Sequence, residues 1–304
     1  MTDISNIQPD SRGESSNMLN PVLLFGMGRS GTTLVMQLLG TSGRIAFDRV
    51  YPFEVRYLTY LLRWALLLEQ QWQPDQNWNS SENFNPPGSP IGAFPYIDAE
   101  LWNGKELWPS CFASAWQAFS TATICKTRQS GKPGIDPAFY AEKIPLWVLE
   151  YLALQPVSYK IILLMRDPRD IFLSINAFDK QRGFAGFNRK PSDSDWDFAR
   201  RLVASFLRRM KFIRHSQAAQ NCILVKYEQL AIDLPMETQR LSQWLGTELD
   251  ANEVKKKEVN LQHHMTSASP EKSVERWRRE LSSELNEFFL KELGDELRSF
   301  GYES

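Results

Sequence analysis

The feature that most constrains the fold is the stretch at residues 21–33, PVLLFGMGRSGTT. An apolar run at 22–25 passes into three closely spaced glycines, and Thr32 and Thr33 then open a segment with apolar residues at helical spacing. This order predicts a strand, a glycine-rich turn and a helix. Because such a turn lets several backbone N–H groups converge beside the positive end of a helix, the stretch predicts a phosphate-binding loop.

The spacing within the loop narrows the choice of ligand. Gly26, four residues, Gly31 and two hydroxyl residues follow the frame of a nucleotide-binding P-loop, G-x4-G-K-[ST]. Thr32 stands where that frame has its lysine, and Arg29 is the cation inside the loop. We therefore predict a phosphate site for a ligand other than ATP. The alternative is a strand–turn–helix unit whose glycines serve the turn alone.

Composition limits the class of protein. The chain has 304 residues, 42% of them hydrophobic and 23% charged, as in ordinary globular domains. A formal net charge of -1 provides no general attraction to nucleic acid, so we expect no nucleic-acid partner and a purely local anion site. Cys111, Cys125 and Cys222 are odd in number and far apart, which favours reduced thiols, a cytoplasmic location and no metal site.

The chain divides into a tail and one domain. Residues 1–20 are rich in Ser, Asn, Asp and Gly and predict a disordered N-terminal tail, which leaves 21–304 as the domain. The apolar run at 57–68 contains Arg63 and is too short to cross a bilayer, so no transmembrane segment is predicted. The Trp-, Pro-, Asn- and Gly-rich stretch at 72–116 predicts an insertion that forms a lid or substrate wall, or else an aromatic cover for the core.

The remaining pattern indicates the fold class. Apolar runs at 159–165 and 223–225 predict buried parallel strands, the first followed by a helix that begins at Pro168. Residues 44–56 predict a strand and a turn, 136–154 a helix interrupted by Pro145, and 195–214, 236–245 and 281–300 further helices. We therefore predict a single α/β domain with a mostly parallel sheet flanked by helices. Residues 26–33, 166–174 and Tyr227 would meet at its carboxyl edge.

Two motifs, GMGRSGTT at 26–33 and RDPRDIFLSI at 166–175, resemble those of sulfotransferases that use 3′-phosphoadenosine 5′-phosphosulfate (PAPS). The resemblance extends over about residues 21–277, is closest in style to tyrosylprotein-type and bacterial members, and implies a P-loop-like fold without a metal. It implies that Arg166 and Ser174 hold the 3′-phosphate; the alternative is that Arg166 merely pairs with Asp170. It also implies that the first loop holds the 5′-phosphosulfate through Arg29, Ser30, Gly31, Thr32 and Thr33.

Shorter matches to the same family add three residues. Lys143, before Pro145, resembles the family's lysine that stabilises charge on the leaving oxygen. Tyr227 resembles a tyrosine beside the nucleotide, and Arg276 resembles a late basic residue that closes over the phosphates. For Lys143 and Arg276, an exposed salt bridge is the alternative interpretation.

The sequence leaves open which residue acts as the general base. No histidine of this chain matches the family's histidine base, and the acidic candidates are Glu54, which we favour, and Asp48. Arg29 joins Lys143 as a candidate for stabilising the bridging oxygen.

The resemblance implies transfer of a sulfuryl group from PAPS to a hydroxyl or amine, with release of 3′-phosphoadenosine 5′-phosphate (PAP). We expect a small-molecule or carbohydrate acceptor, and the oligomeric state is not predicted. One alternative is a P-loop kinase or NTPase, because the apolar run at 161–164 precedes Asp167 as in a Walker B strand. Another is a non-catalytic PAP-binding protein.

Overall fold

A computed structural model of the protein describes residues 18–66, 104–131, 134–152, 157–216, 221–256 and 265–302. Most of the predicted tail, residues 1–17, lies outside the described residues, as does the predicted insertion up to residue 103. Leu19 is buried and Asn20 already belongs to the first strand, so the end of the predicted tail is part of the fold.

The predicted α/β class is confirmed, because five parallel strands form one sheet in the order β2-β3-β1-β4-β5. The central strand β1 pairs with β3 on one side and β4 on the other, so that Leu24 is level with Lys143 and with Ile162. The strand bounds are β1 Asn20–Gly26, β2 Ile45–Ala46, β3 Phe139–Lys143, β4 Lys160–Met165 and β5 Cys222–Lys226.

Helices cover both faces of the sheet. Alternate residues of β1 enter different cores: Leu23 packs with the apolar residues of α2, α3, α6 and α11, and Leu24 with those of α1 and α8. The helices are α1 Thr32–Leu39, α2 Tyr57–Leu66, α3 Gly104–Gln129, α4 Leu146–Leu152, α5 Pro168–Arg182, α6 Asp195–Ser216, α7 Tyr227–Ile232, α8 Leu234–Leu245, α9 Ala251–Lys256, α10 Trp277–Glu280 and α11 Ser283–Ser299, with a 3-10 turn at Glu271–Ser273.

The helix predicted at 136–154 is wrong over its first half. Phe139–Lys143 forms strand β3, and helix α4 begins only after Pro145. Alanine, glutamate and lysine favour helices in isolation, which produced the error. Pairing with β1 and β2 overrides that preference and buries all five residues of the strand, including Glu142.

Of the aromatic stretch at 72–116, the structure describes residues 104–116, which form the first half of α3. Trp108 and Trp116 are buried in the core, and the Trp116 indole donates to the Leu19 carbonyl at 3.2 Å. This part of the stretch therefore covers the core. Within the described ranges, no helix combines the length and apolar character needed to span a bilayer.

Candidate functional site

The loop between β1 and α1 folds on itself around Ser30. The Ser30 side chain is fully buried and its hydroxyl donates to the Met27 carbonyl at 2.7 Å, while Arg29 and Gly31 adopt left-handed φ angles of 66° and 95°. No side-chain hydrogen bond caps α1 at Gly31. The first N–H groups of α1 therefore remain available to a ligand, as at other anion-binding helix ends.

Two aromatic rings fix the loop from either side. A Cβ at Gly31 would lie 2.4 Å from Cδ2 of Tyr227, and one at Gly28 would lie 2.3 Å from Cδ1 of Phe187. Both positions thus require glycine for close approach, and Gly31 requires it for its φ as well. The glycines serve the packing of the loop in addition to its turn.

A cavity of about 770 Å³ opens above the loop at the carboxyl edge of the sheet. Most of the site residues predicted from sequence line this cavity. Two of the nucleotide-binding candidates do not: Ser30 is buried beneath the loop, and Arg276 lies behind the wall residue Thr266, to which it donates a hydrogen bond. The predicted residues on the wall are Arg29, Gly31, Thr32, Thr33, Glu54, Lys143, Arg166, Ser174 and Tyr227.

The first polar cluster of the cavity is centred on Lys143, at the end of β3. Its Nζ donates to Oε1 of Glu54 at 2.8 Å, to the carbonyl of Pro52 at 2.8 Å and to Oγ1 of Thr33 at 3.4 Å. The Lys143 side chain is 8% exposed and that of Glu54 is 45% exposed. Lys143 thus connects the glycine-rich loop, through Thr33, to the partly exposed carboxylate of Glu54.

Burial and neighbouring charges change the pKa of both Lys143 and Glu54. Burial lowers the pKa of Lys143, and the Glu54 carboxylate opposes that change. Burial alone would raise the pKa of Glu54, but the hydrogen bond and charge of Lys143, together with Arg56, outweigh it and lower the pKa overall. Glu54 is therefore a carboxylate at neutral pH, the form that accepts a proton.

Two buried side chains of β3 hold the segment that follows Glu54. The Glu142 carboxylate accepts from the backbone N–H groups of Leu58 and Thr59 at 2.9 and 3.0 Å. The Tyr140 hydroxyl donates to Glu142 at 2.7 Å and accepts from the N–H of Tyr57 at 3.0 Å. Glu142 thus caps the N-terminus of α2 from another part of the chain. Because the pattern of residues 139–143 predicts a helix, this pair cannot be found from the sequence.

The second polar cluster is centred on Arg166, at the end of β4. Its guanidinium lies over the Tyr227 ring at 4.2 Å and donates to the carbonyls of Arg29 and Ser273 at 2.9 and 2.8 Å. The Nε atom of Arg166 is buried and has no hydrogen-bond partner among the described residues. Asp170 accepts from backbone N–H groups of the late loop, and the positive charge of Arg166 opposes the rise that burial causes in its pKa, so Arg166 acts on Asp170 in addition to its own contacts with two carbonyls and Tyr227.

The hydroxyl groups of Ser174 and Thr266 connect the other two arginines of this second cluster, Arg29 and Arg276. Arg29 donates from Nε to Oγ of Ser174 at 3.2 Å, Ser174 lies 3.3 Å from Oγ1 of Thr266, and Arg276 donates to the same Oγ1 at 3.1 Å. Burial and then the charge of Arg166 lower the pKa of Arg29 to about 10. This electropositive environment favours an anion. Thr266 belongs to the second cluster, although no sequence motif indicates it.

The two candidate bases lie in different places. Asp48 accepts from the N–H of Val50 at 3.0 Å and lines a separate depression, together with Tyr57 and Lys126. Of the two, Glu54 is the one on the wall of the main cavity. His263 and His264 lie outside the described residues.

The sheet order places the two clusters on opposite sides of the loop. Lys143 ends β3 and Arg166 follows β4, and these strands flank β1. With neighbouring strands about 4.8 Å apart, the ends of β3 and β4 are separated by roughly 10 Å. The cavity thus has two polar clusters, centred on Lys143 and on Arg166, with the glycine-rich loop between them. In the described part of the chain, no group of three His, Cys, Asp or Glu side chains is placed to hold a metal ion.

Comparisons with known proteins agree with the sequence motifs. The family model described as the sulfotransferase family matches residues 21–251, which is more than half of the chain, and the chain therefore belongs to that family. No curated protein sequence matches the chain.

Solved structures similar to this chain include three with low sequence identity. The sulfotransferase domain of the Synechococcus PCC 7002 olefin synthase is 17% identical over 94% of this chain and 96% of its own, with a TM-score of 0.47. The sulfotransferase domain from the curacin biosynthetic pathway is 15% identical over 94% and 99%, with a TM-score of 0.48. Retinol dehydratase in complex with androsterone and PAP is 15% identical over 93% and 82%, with a TM-score of 0.46.

Proposed function

We propose that this sulfotransferase-family chain transfers a sulfuryl group from PAPS to a hydroxyl or amine of a small-molecule acceptor and releases PAP. The observation that carries the proposal is the pair of anion-binding clusters on either side of one glycine-rich loop. A donor with phosphate at both its 3′ and 5′ positions needs two such clusters. A nucleotide phosphorylated only at its 5′ end would leave the Arg166 cluster without a role.

The second cluster fits the 3′-phosphate. The Nε atom of Arg166 has no partner among the described residues, and the Ser174 hydroxyl, on α5, accepts from Arg29 on the same cavity wall. Because Nη1 and Nη2 of Arg166 each donate to a backbone carbonyl, the phosphate would be held by the charge of the guanidinium and by its remaining N–H donors. Arg276 supplies a further positive charge through Thr266. We assign Arg166, Ser174, Thr266 and Arg276 to 3′-phosphate recognition.

The loop and the first cluster fit the phosphosulfate end. The hydroxyls of Thr32 and Thr33 and the free N–H groups at the start of α1 would bind the 5′-phosphate. Lys143 reaches Thr33 and is nearly buried, so its ammonium would stabilise negative charge on the oxygen that bridges phosphorus and sulfur. Tyr227 packs against Gly31 and keeps the loop in place.

Glu54 would act as the base. The acceptor oxygen or nitrogen attacks sulfur, its proton passes to the Glu54 carboxylate, and the bond between sulfur and the bridging oxygen breaks. The electron pair of that bond stays on the phosphate of PAP, where Lys143 and Arg29 offset the new charge. As in phosphoryl transfer, positioning and electrostatic stabilisation would supply most of the rate enhancement.

The rest of the wall indicates the character of the acceptor. Phe178, Phe184 and Phe187 line the cavity together with Ile144 and Met265. Phe184 is 62% exposed, a high value for a large apolar side chain. Phe178 and Phe187 lie beside the loop, at Arg29 and Gly28. Ile144, by contrast, directly follows Lys143, so we propose an acceptor with an apolar body beside its reacting hydroxyl or amine.

Calorimetry with PAP and adenosine 5′-phosphate tests the nucleotide assignment. The wild type should bind PAP at least about 100-fold more tightly than adenosine 5′-phosphate, since two charged hydrogen bonds are worth roughly 3–6 kcal/mol. Arg166→Ala should abolish that preference, whereas Arg200→Ala, at an exposed position of α6, should retain it. Equal binding of the two nucleotides by the wild type would reject the proposed donor, and magnesium-dependent ATP binding would support a kinase or NTPase instead.

Transfer of labelled sulfate from PAPS to a library of acceptors tests the reaction. Glu54→Gln should reduce turnover by about 100-fold or more and leave the affinity for PAP unchanged, because removing a general base costs roughly 10²–10⁴ in rate. Asp48→Asn, outside the cavity, is the matched control and should retain activity. Full activity of Glu54→Gln would exclude it as the base, and PAP binding by the wild type without transfer to any acceptor would indicate a non-catalytic protein.

A further inference from the structure

We infer that Asp170 is a positioning residue that holds Arg276 against the 3′-phosphate cluster, an inference that rests on the proposed use of a 3′-phosphorylated nucleotide. Asp170 lies in the first turn of α5 and is fully buried. Arg276 lies more than 100 residues later, in the turn before α10. The sequence gives no indication that the two are connected.

The contact between them is made through the backbone. The Oδ2 atom of Asp170 accepts from the N–H of Glu275 at 2.7 Å, and its Oδ1 atom accepts from the N–H of Trp277 at 3.0 Å. These two amides are the ones on either side of Arg276. Because one rigid carboxylate holds both, it fixes the position and direction of the main chain from which the Arg276 side chain extends.

The conformation of the held turn shows that it needs support. Glu275 has a φ of 54°, in the left-handed region that residues with a side chain rarely adopt. A hydrogen bond to the Glu275 amide and another two residues later favour that conformation over an extended one. The Asp170 carboxylate therefore stabilises the turn at the residue where its backbone is least favourable.

A second contact between α5 and the same turn keeps Trp277 in place. The Arg169 guanidinium lies 3.5 Å from the centre of the Trp277 ring and is bound to Asp167 through Nε and Nη2 at 3.1 and 2.8 Å. The start of α5 thus fixes both the backbone and the ring of Trp277. Ser174 belongs to the same helix and Arg166 lies just before it, so one element sets the relative positions of the phosphate-binding groups.

The direction of the Arg276 side chain follows from its neighbours. Its Nε and Nη2 atoms donate to the Glu280 carboxylate at 3.0 and 2.7 Å. This leaves Nη1 directed at Thr266, whose hydroxyl contacts Ser174. Without the hydrogen bonds to Asp170, the turn would no longer hold Arg276 at hydrogen-bond distance from Thr266. The 3′-phosphate cluster would then lose the positive charge of Arg276.

Binding of PAP and adenosine 5′-phosphate to four full-length proteins tests the inference: wild type, Asp170→Asn, Arg276→Ala and the double variant. The two single variants should each lose about tenfold or more in PAP affinity. The double variant should lose no more PAP affinity than the single variant that binds PAP more weakly, because both substitutions remove the same contribution of Arg276 to binding. Binding of adenosine 5′-phosphate should stay within about twofold in all four. A general loss of structure would weaken both ligands equally.

Asp233→Asn is the matched control, since Asp233 caps α8 through the N–H of Met236 and lies away from the cavity. It should leave PAP affinity unchanged. Amide hydrogen exchange of the wild type is a second measurement, in which the N–H groups of Glu275 and Trp277 should exchange as slowly as those in the middle of α5. Exchange at the rate of an open loop would overturn the inference.

Three binding outcomes would also overturn it: an unchanged PAP affinity in Asp170→Asn, losses that multiply in the double variant, or an equal loss for adenosine 5′-phosphate. These results are distinct from a failure of the proposed function. If the wild type binds PAP no more tightly than adenosine 5′-phosphate, the proposed donor and the role of Asp170 are both rejected. If the wild type prefers PAP and Asp170→Asn retains that preference, only the role of Asp170 is rejected.

Discussion

Replacing Glu142 should destabilise the fold more than any exposed acidic residue would. The side chain is fully buried and accepts from the N–H groups of Leu58 and Thr59, from the Thr59 hydroxyl and from the Tyr140 hydroxyl. Glu142→Ala would leave these donors buried without partners and would expose the uncapped start of α2. The change therefore affects both a hydrogen-bond network and a helix end.

The size of the effect can be worked out from these contacts. A buried donor that loses its partner costs about 1–3 kcal/mol, and water entering the space left by the side chain recovers part of that. Burial raises the pKa of Glu142, so the ionised carboxylate itself carries a desolvation cost that the variant no longer has. We expect a net loss of about 4 kcal/mol for Glu142→Ala and about 2 kcal/mol for Glu142→Gln, which keeps the shape and one acceptor.

Urea denaturation of the full chain measures this loss. With an m-value of about 3 kcal/mol/M, Glu142→Ala should lower the midpoint by roughly 1.3 M. Glu292→Ala, at an exposed position of α11, is the control and should change the unfolding free energy by less than about 0.5 kcal/mol. Glu142→Gln should also lower sulfuryl transfer without changing PAP affinity, because the segment that carries Glu54 loses its support.

Two results would refute this reasoning. An unchanged midpoint for Glu142→Ala would mean that the four donors find equivalent partners without the carboxylate. Additive effects of Glu142→Gln and Tyr140→Phe would mean that the two side chains do not form one network, since coupled neighbours should lose less together than the sum of their separate losses.

Three further predictions concern Gly31 in the loop, the Lys143 ammonium and the buried Asp170 carboxyl. Gly31→Ala should weaken PAP binding at least about tenfold in calorimetry, because its Cβ would meet Tyr227. Lys143→Gln should slow labelled-sulfate transfer about 100-fold. Burial raises the pKa of Asp170 to about 6, so the folded state retains a proton that the unfolded state loses near pH 4. Relative to Asp170→Asn, wild-type stability should fall by about 2 kcal/mol from pH 4 to 6.5 in urea titrations, and a flat difference would contradict this.

Local sequence was sufficient for the elements that lie next to each other in the chain. The apolar run before Gly26, the glycine spacing and the helical pattern after Thr32 specify β1, the loop and α1 without help from distant residues. The same holds for Arg166, which follows a buried strand and precedes a helix that begins at Pro168. Both motifs reach the carboxyl edge because parallel strands end together.

Tertiary structure determined which side chains face the cavity. Glu54 and Asp48 are both sequence candidates for the base, with Glu54 favoured, and the left-handed Phe53 belongs to the turn that separates them. The turn directs Glu54 towards Lys143, which lies 89 positions later in the chain. Ser30 shows the opposite outcome, because its position in the motif indicates a ligand contact and its hydroxyl is used within the loop.

The sequence by itself therefore predicted a phosphate loop with Thr32 at the position of the usual lysine and Arg29 as its cation, and a second basic site after another strand. Only the tertiary structure decided that 139–143 is a strand, that Glu142 caps α2, and that Asp170 holds the turn of Arg276. The physical reason is the same in each case. A motif within a dozen residues acts through local backbone geometry, whereas a buried carboxylate finds its partners only when distant segments pack around it.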